Sequence, residues 1–144
     1  MNVRIKRIDK SLELPLYHTS GAVGFDLIAR ESVEIPPRQL GLIPNNIVVE
    51  IPKGYMLLLA SRSSTAKKKG LMPANGVGII DQDYCGEEDE LKTLFYNYTD
   101  ETIHVERGER LSQCVFVKIE VSEWEEVESM QSTSRGGFGS TDKK

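Results

Sequence analysis

Short runs of β-forming residues, separated by glycine and proline, most constrain what this chain can fold into. Apolar and charged side chains alternate along the first run, and Pro52-Lys53-Gly54 is one of several turn signals between runs. The predicted strands lie at residues 3–6, 25–29, 33–35, 40–43, 46–51, 55–60, 91–98, 102–106 and 110–121. Many short strands at such spacing indicate an all-β sandwich or barrel.

One segment, residues 63–70, has the pattern of a helix instead of a strand. It reads Ser-Ser-Thr-Ala-Lys-Lys-Lys-Gly. The hydroxyl residues suit an N-cap, the lysines suit the negative end of the helix dipole, and Gly70 can end the helix. The sequence therefore predicts one short helix, which packing against the rest of the chain must stabilise.

Composition limits the class of protein. A chain of 144 residues suits one domain, and its net charge of -4 argues against non-specific binding of nucleic acid. The first residues form no signal-peptide core and no apolar run could span a bilayer, so we expect a cytoplasmic protein without a membrane partner. Cys85 and Cys114 form no zinc-ligand pattern, and we expect both to be reduced.

The last residues differ in character from the rest of the chain. Residues 129–144 are polar and rich in glycine, too much so to pack a core, and Phe138 is their one large aromatic side chain. The sequence therefore predicts a β domain at residues 1–128 and a mobile C-terminal arm at residues 129–144. A plain disordered tail is the alternative interpretation.

A glycine-rich stretch at residues 75–87 carries the most chemistry. It combines a small and β-branched run with two carboxylates, Asp81 and Asp83, and with the ring of Tyr84. Glycine lets a backbone approach a ligand closely, and an aromatic ring offers a surface to a flat group. The pattern favours a hairpin that grips a planar ligand beside a base, although a plain β-hairpin with an Asx-type turn fits the same residues.

Five segments in this order resemble the five motifs of the homotrimeric dUTPase family. They are residues 23–27, 61–64, 75–87, 107–113 and 135–141, and the resemblance covers nearly the whole chain. It implies a distorted jelly-roll β-barrel that assembles as a homotrimer. Each active site would then draw on three chains: one supplies motif three, another supplies motifs one, two and four, and the third supplies the arm. It also implies Mg²⁺-dependent hydrolysis of dUTP to dUMP and pyrophosphate, which limits uracil in DNA and supplies dUMP for thymidylate synthesis.

The resemblance assigns the chemical step and the nucleoside to particular residues. It implies that Asp81 is the general base that activates the water attacking the α-phosphorus, and that Gln113 lies near that phosphate. Asn75 and the backbone at Gly78 and Ile80 would bind uracil. Tyr84 would lie under the deoxyribose and exclude a 2′-hydroxyl. The alternative for Gln113 is a strand residue that satisfies an edge, and for Tyr84 a half-buried strand aromatic.

The resemblance also assigns the triphosphate, the metal and the lid. Arg62, Ser63 and Ser64 would hold phosphates at the start of the helix, where free N–H groups and a forked guanidinium favour anions. A plain helix cap is the alternative for the serines. Asp26 would reach Mg²⁺ through water. The arm residues expected to close over the nucleotide are Arg135, Phe138, Gly139, Ser140 and Thr141.

The chain departs from the family pattern after the hairpin. Cys85 stands where the family usually has Arg, Lys or Gln, and residues 87–90 form an acidic run that lengthens the segment. We expect that run to be an exposed loop or bulge, with an extra metal site as a lesser alternative. His18 and His104 have no motif role and are expected to be structural.

Two other functions remain open at the level of sequence. One is a dCTP deaminase, or a bifunctional dCTP deaminase and dUTPase, which shares the fold and an Arg-Ser-Ser segment. The other is a non-catalytic binding or regulatory protein on the same scaffold. Asp81 with Tyr84 and a complete arm argue against the first, since deamination relies on a glutamate in place of Asp81. Arg62 and Asp81 argue against the second.

Overall fold

Eleven short strands and one short helix make up residues 1–137, the part of the chain that the computed structural model describes. The strands are β1 (Ile5–Arg7), β2 (Phe25–Ile28), β3 (Val33–Ile35), β4 (Leu40–Pro44), β5 (Ile47–Val49), β6 (Tyr55–Ser61), β7 (Leu71–Pro73), β8 (Gly78–Ile80), β9 (Lys92–Asn97), β10 (Ile103–Val105) and β11 (Arg110–Lys118), and the helix is α1 (Thr65–Lys69). The all-β prediction is therefore confirmed.

The strands pair into four antiparallel sheets. The largest has the order β2-β11-β6-β8, and a three-stranded sheet has the order β4-β9-β7. Two further pairs, β1 with β5 and β10 with β3, complete the arrangement. Strands distant in the sequence thus become neighbours, which brings the predicted motifs of β2, β6 and β11 to one sheet.

Two apolar clusters form the core. In the first, Phe25 and Leu27 of β2, Leu57 and Leu59 of β6, and Cys114 of β11 are all buried. Alternate residues of a strand share a face, so these side chains cover one face of the largest sheet. The second cluster comes mainly from the other sheets, with Leu111 of β11 added, and it includes the fully buried Phe95 of β9. Each such side chain contributes about 1.5–3 kcal/mol through burial.

Most of the observed strands are shorter than predicted, although β3 matches and β4 and β6 each extend one residue further. β1 begins at Ile5, and β11 ends at Lys118, because their pairing partners end there. Pro44 was predicted to separate two strands but is the last residue of β4, an end position that tolerates its missing N–H. The sequence did not predict β7, whose three residues between Gly70 and Ala74 are too few to show a period.

The predicted helix is confirmed, but its start is held differently. Ser64 is the N-cap residue and its side chain makes no capping hydrogen bond. Instead, the buried Thr65 donates from its hydroxyl to the carbonyl of Leu111 at 2.7 Å. Gly70 ends the helix as predicted, in the left-handed region at φ 70°, where its N–H bonds the carbonyl of Ala66 at 3.0 Å.

The two cysteines lie in opposite environments, and both are free. Cys85 is exposed, whereas Cys114 is buried in the first core cluster, and burial raises the pKa of the Cys114 thiol. Within residues 1–137, no helix has the length and apolar character needed to cross a membrane.

Burial of Cys114 predicts that its thiol is inert in the folded protein. With Cys85→Ser in place, a thiol-specific disulfide reagent should label nothing at neutral pH until guanidinium unfolds the chain, because only an accessible thiolate reacts. Labelling should then reach one thiol per chain. Rapid stoichiometric labelling of the folded variant would contradict the packing described for β11.

Candidate active site

Three predicted site residues lie together because β11 pairs with both β2 and β6. Gln113 of β11 lies directly opposite Asp26 of β2, and Arg62 directly follows the last residue of β6. The Arg62 Nε lies 3.2 Å from Asp26 Oδ1. The Gln113 Nε2 donates to the carbonyl of Ser61 at 3.2 Å. The sequence prediction that these motifs share a site fits this geometry.

Arg62 is fixed by the backbone around it. Its N–H donates to the carbonyl of Leu111 at 2.9 Å, and its Nη1 donates to the carbonyl of Arg110 at 3.1 Å. Its carbonyl in turn accepts the N–H of Thr65 at 3.0 Å. The guanidinium is therefore held between the end of β6 and the start of β11, with part of its surface still accessible.

A cavity of about 370 Å³ opens beside Arg62 at the start of the helix. Its lining includes four basic side chains, Arg62, Lys68, Lys69 and Arg110. Lys69 is paired with Glu109 at 3.0 Å. Arg62 faces Asp26, and Arg110 lies 3.4 Å from Glu13. The four cations still outnumber Glu109, the one carboxylate residue of the described lining, so the cavity can bind a chain of phosphates.

The lining of the cavity includes one of the two predicted serines and cationic residues that the sequence did not select. Ser64 lines the same cavity, whereas Ser63 is exposed and is not among its lining residues. Lys68 was assigned only to the negative end of the helix dipole, yet it also lines the cavity. Its position four residues after Ser64 was the available signal, since residues at that spacing share one face of a helix.

Asp26 has one oxygen with a defined partner and one without. Its side chain is only 12% exposed, and Oδ1 faces Arg62. Oδ2 is buried and makes no hydrogen bond within residues 1–137, although His18 Nε2 lies 3.4 Å away. His18, expected only to be structural, therefore lies against the predicted metal residue. An orphaned carboxylate oxygen fits a hydrated cation that needs one outer contact.

No group of three His, Cys, Asp or Glu residues that could hold a metal occurs within residues 1–137. Asp26 is thus a single carboxylate beside a cationic cavity. That donor set fits a metal ion whose direct ligands are phosphate oxygens and water, as Mg²⁺ prefers.

The glycine-rich stretch lies along the other side of β6. Gly78 and Ile80 of β8 pair with Leu59 and Leu57, respectively. A side chain at Gly78 would bring its Cβ within 3.2 Å of the Leu59 Cβ, so the tight pairing favours glycine there. Asn75 is exposed in the turn before β8. Of the predicted hairpin, residues 75–87, only one strand is present, because β8 pairs with β6 and, within residues 1–137, with neither β7 nor β9. This hairpin segment still has a close backbone and exposed polar ends.

Asp81 and Tyr84 follow β8 in an exposed turn. The Tyr84 N–H donates to the Asp81 carbonyl at 3.3 Å, and the ring of Tyr84 is 39% exposed. Asp81 lines a separate cavity of about 350 Å³, together with Tyr55 and Val121. The predicted base is therefore accessible, but it does not face the cationic cavity.

One chain does not bring the predicted base to the predicted phosphate site. Ile80 pairs with Leu57, so Asp81 lies near the Met56 end of β6, whereas Arg62 follows the opposite end. Six residues of extended strand separate these ends by about 20 Å. That distance is far too long for a water held by Asp81 to reach a phosphorus held by Arg62.

The acidic run after the hairpin is only partly the exposed loop that was predicted. Glu87 and Glu88 are exposed, but Glu90 is buried. Its carboxylate takes two hydrogen bonds from Arg30, and it raises the pKa of the Arg30 guanidinium above its ordinary value. The prediction is wrong for Glu90 because its partner lies 60 residues away in the sequence.

Regular structure ends at Lys118, and no helix or strand follows in residues 119–137. Trp124 is almost fully exposed in that segment, and Arg135 is exposed near its end. Phe138, Gly139, Ser140 and Thr141 lie outside the described residues. The boundary predicted at residues 128 and 129 and the roles assigned to the arm stay predictions.

The cationic cavity predicts binding of inorganic tripolyphosphate that depends on Arg62. Arg62→Ala should weaken binding roughly 10- to 100-fold, the usual effect of losing a charged hydrogen-bond donor. Isothermal titration of the purified protein measures this. Lys67→Ala removes an equal charge from the same helix, but Lys67 lines a different cavity. This control substitution should therefore change the affinity little. Equal losses in both variants would contradict a specific site at Arg62.

Comparison with known proteins agrees with this arrangement of motifs. The family model described as dUTPase matches residues 10–142. A deoxyuridine 5′-triphosphate nucleotidohydrolase of Wolinella succinogenes is 37% identical over 145 residues, spanning 99% of this chain and 95% of the relative. One of Fusobacterium nucleatum is 40% identical over 146 residues, spanning 98% of each chain.

Solved structures agree as well and confirm the jelly-roll fold. The dUTPase of Streptococcus mutans superposes with a TM-score of 0.76 at 33% identity, over 83% of this chain and 98% of that one. The dUTPase of Staphylococcus bacteriophage 80alpha, solved with dUPNHPP, gives 0.85 at 27% identity, over 96% and 97% of the two chains. Motifs, fold and relatives thus agree, and the chain belongs to the dUTPase family.

Proposed function

We propose that this chain hydrolyses dUTP to dUMP and pyrophosphate, by attack of water on the α-phosphorus. The observation that carries the proposal is the cluster of Asp26, Arg62 and Gln113, of which Arg62 also lines the cationic cavity. Its residues are of the kinds needed to hold a triphosphate and the cation that accompanies it. Membership of the dUTPase family supports the same reaction.

The active site is shared between chains of a homotrimer. Support comes from the separation of about 20 Å between Asp81 and Arg62 along β6, which follows from the strand rise. A neighbouring chain can present its hairpin to this chain's cavity, whereas a single chain cannot fold its own hairpin across. The site is then complete only in the assembly, and an isolated chain is inactive.

In that shared site, the residues around the cavity orient the triphosphate. Arg62 and the serines at the start of the helix bind phosphate oxygens, and Gln113 lies near the α-phosphate. Asp26 would hold Mg²⁺ through water, with the oxygen that has no hydrogen bond within residues 1–137. When bound, Mg²⁺ neutralises charge on the triphosphate and makes the phosphorus easier to attack. Arg62 stays in place because Asp26 and the carbonyl of Arg110 hold it.

The hairpin segment binds the uracil ring and supplies the general base that activates water. Asn75 and the backbone at Gly78 and Ile80 bind the polar edge of uracil, and their close approach to the base excludes the methyl group of thymine. Tyr84 packs against the deoxyribose and excludes a 2′-hydroxyl. Asp81 orients the attacking water and accepts its proton, which typically contributes about 10²- to 10⁴-fold to the rate.

The arm closes the site over the bound nucleotide. Phe138 stacks on uracil, and the residues that reach the terminal phosphates are Arg135, Gly139, Ser140 and Thr141. Closure excludes water from the reacting centre and aligns the phosphates. The proposal also places the protein in the cytoplasm, which the free thiols of Cys85 and Cys114 support.

A panel of nucleotides tests the proposed reaction. Pyrophosphate release with Mg²⁺ should be fast from dUTP and slower by at least about two orders of magnitude from dTTP, dCTP and UTP, because each lacks a contact or adds a clash. Ammonia release from dCTP would support the deaminase alternative and contradict this assignment. Inertness toward all four nucleotides would support a purely regulatory protein.

A variant at Asp81 separates binding from chemistry in the same assay. Asp81→Asn should bind dUTP about as tightly as the unaltered protein while losing about 10²- to 10⁴-fold in turnover. Asp83→Asn is the matched control, since this exposed carboxylate lies two residues away and has no assigned role. Near-normal turnover of Asp81→Asn would remove the general-base assignment.

A further inference from the structure

The acidic segment, residues 87–90, contacts Tyr84, which in the proposed function packs against the sugar. The Tyr84 hydroxyl donates to the backbone carbonyl of Glu90 at 3.2 Å. The ring of Tyr84 is otherwise partly exposed, so this contact fixes its outer end. The orientation of the ring therefore depends on where the chain places the Glu90 carbonyl.

Glu90 is anchored by its own side chain, which is 8% exposed. Arg30 donates from Nε to Oε1 at 2.8 Å and from Nη2 to Oε2 at 3.1 Å, a two-bond fork. The backbone N–H of Asn46 donates to the same Oε1 at 2.7 Å. Three hydrogen bonds thus hold the carboxylate, and they hold the backbone to which it is attached.

Both partners of Glu90 are themselves fixed. The N–H of Arg30 donates to the carbonyl of Pro44 at 2.9 Å. Asn46 takes a left-handed backbone with φ 67°, and its side chain exchanges hydrogen bonds with the backbone of Asp9 at 2.6 and 3.0 Å. The anchor of Glu90 is therefore part of the rigid body of the domain.

The rest of the acidic run does not share this role. Glu87 pairs with Lys6 at the surface, where an ion pair is screened by solvent. Asp89 closes a local turn by accepting the N–H of Gly86 at 2.7 Å. Among the residues of the run, the Glu90 side chain alone connects the segment to buried groups of the domain, within the part of the chain that the structure describes.

We propose that Glu90, clasped by Arg30, is a positioning residue for Tyr84 and thereby sets the discrimination between deoxyribose and ribose triphosphates. This inference rests on the proposed function, in which Tyr84 packs against the sugar. A ring tethered at its hydroxyl cannot move aside for a 2′-hydroxyl. A ring that no longer donates to the Glu90 carbonyl can move aside, so UTP can then bind.

Two substitutions test the tether by independent routes. Glu90→Gln weakens the clasp at similar side-chain volume, and Tyr84→Phe removes only the hydroxyl. Each should lower the ratio of kcat/KM for dUTP to kcat/KM for UTP by roughly five- to tenfold, the effect expected from one lost hydrogen bond. The double variant should lose no more than either single variant, because both break the same connection.

Matched controls separate positioning from a general loss of structure. Glu87→Gln changes the exposed carboxylate of the same run, and Tyr98→Phe removes a hydroxyl that donates to Ala66 elsewhere. Both should leave the dUTP to UTP ratio unchanged. A Glu90 variant that acts only through stability would lower kcat/KM for both substrates by the same factor, so it too would leave the ratio unchanged.

The outcomes that overturn the proposal are distinct from those that overturn the proposed function. A folded Glu90→Gln variant with an unchanged ratio would overturn the positioning role. If Glu90→Gln does not fold, an unchanged ratio in Tyr84→Phe would overturn it instead. If the unaltered protein releases no pyrophosphate from dUTP, the proposed function fails, and the positioning role falls with it.

Discussion

The pairing of β11 with β2 on one side and β6 on the other is the contact on which the rest of the structure depends. β11 carries the buried Cys114 in the middle of the largest sheet and sets Gln113 opposite Asp26. Its Leu111 carbonyl accepts hydrogen bonds from the backbone of Arg62 and the hydroxyl of Thr65. One strand therefore sets the sheet register, the guanidinium and the start of the helix together.

The same sheet is the basis for the divided site that we propose. β6 pairs with β11 along one edge and with the hairpin strand β8 along the other, and its two ends carry different chemistry. The end at Arg62 faces the cationic cavity, and the end at Met56 faces the turn that holds Asp81 and Tyr84. An extended strand cannot bend to bring its ends together, so the proposed site needs a second chain to complete it.

Much of the fold followed from the sequence because its signals are local. Alternating runs and turn residues located most of the strands, and Gly70 marked the end of the helix. Contacts between distant residues were not visible. Four acidic residues in a row resemble a solvated loop, and only the fold shows that Arg30 reaches Glu90. The sequence also did not reveal that His18 lies against Asp26 or that Lys68 lines the cavity, because these arrangements too depend on the fold.

A mixing experiment tests the shared site most directly. Asp81→Asn and Arg62→Ala are each expected to be nearly inactive alone. When equal amounts are mixed, mildly denatured and renatured together, random assortment should restore roughly a quarter of the unaltered dUTP turnover, because some sites then combine an intact hairpin with an intact phosphate grip from another chain. Each variant treated alone should recover nothing. Failure of the mixture to regain activity would contradict a site built from more than one chain.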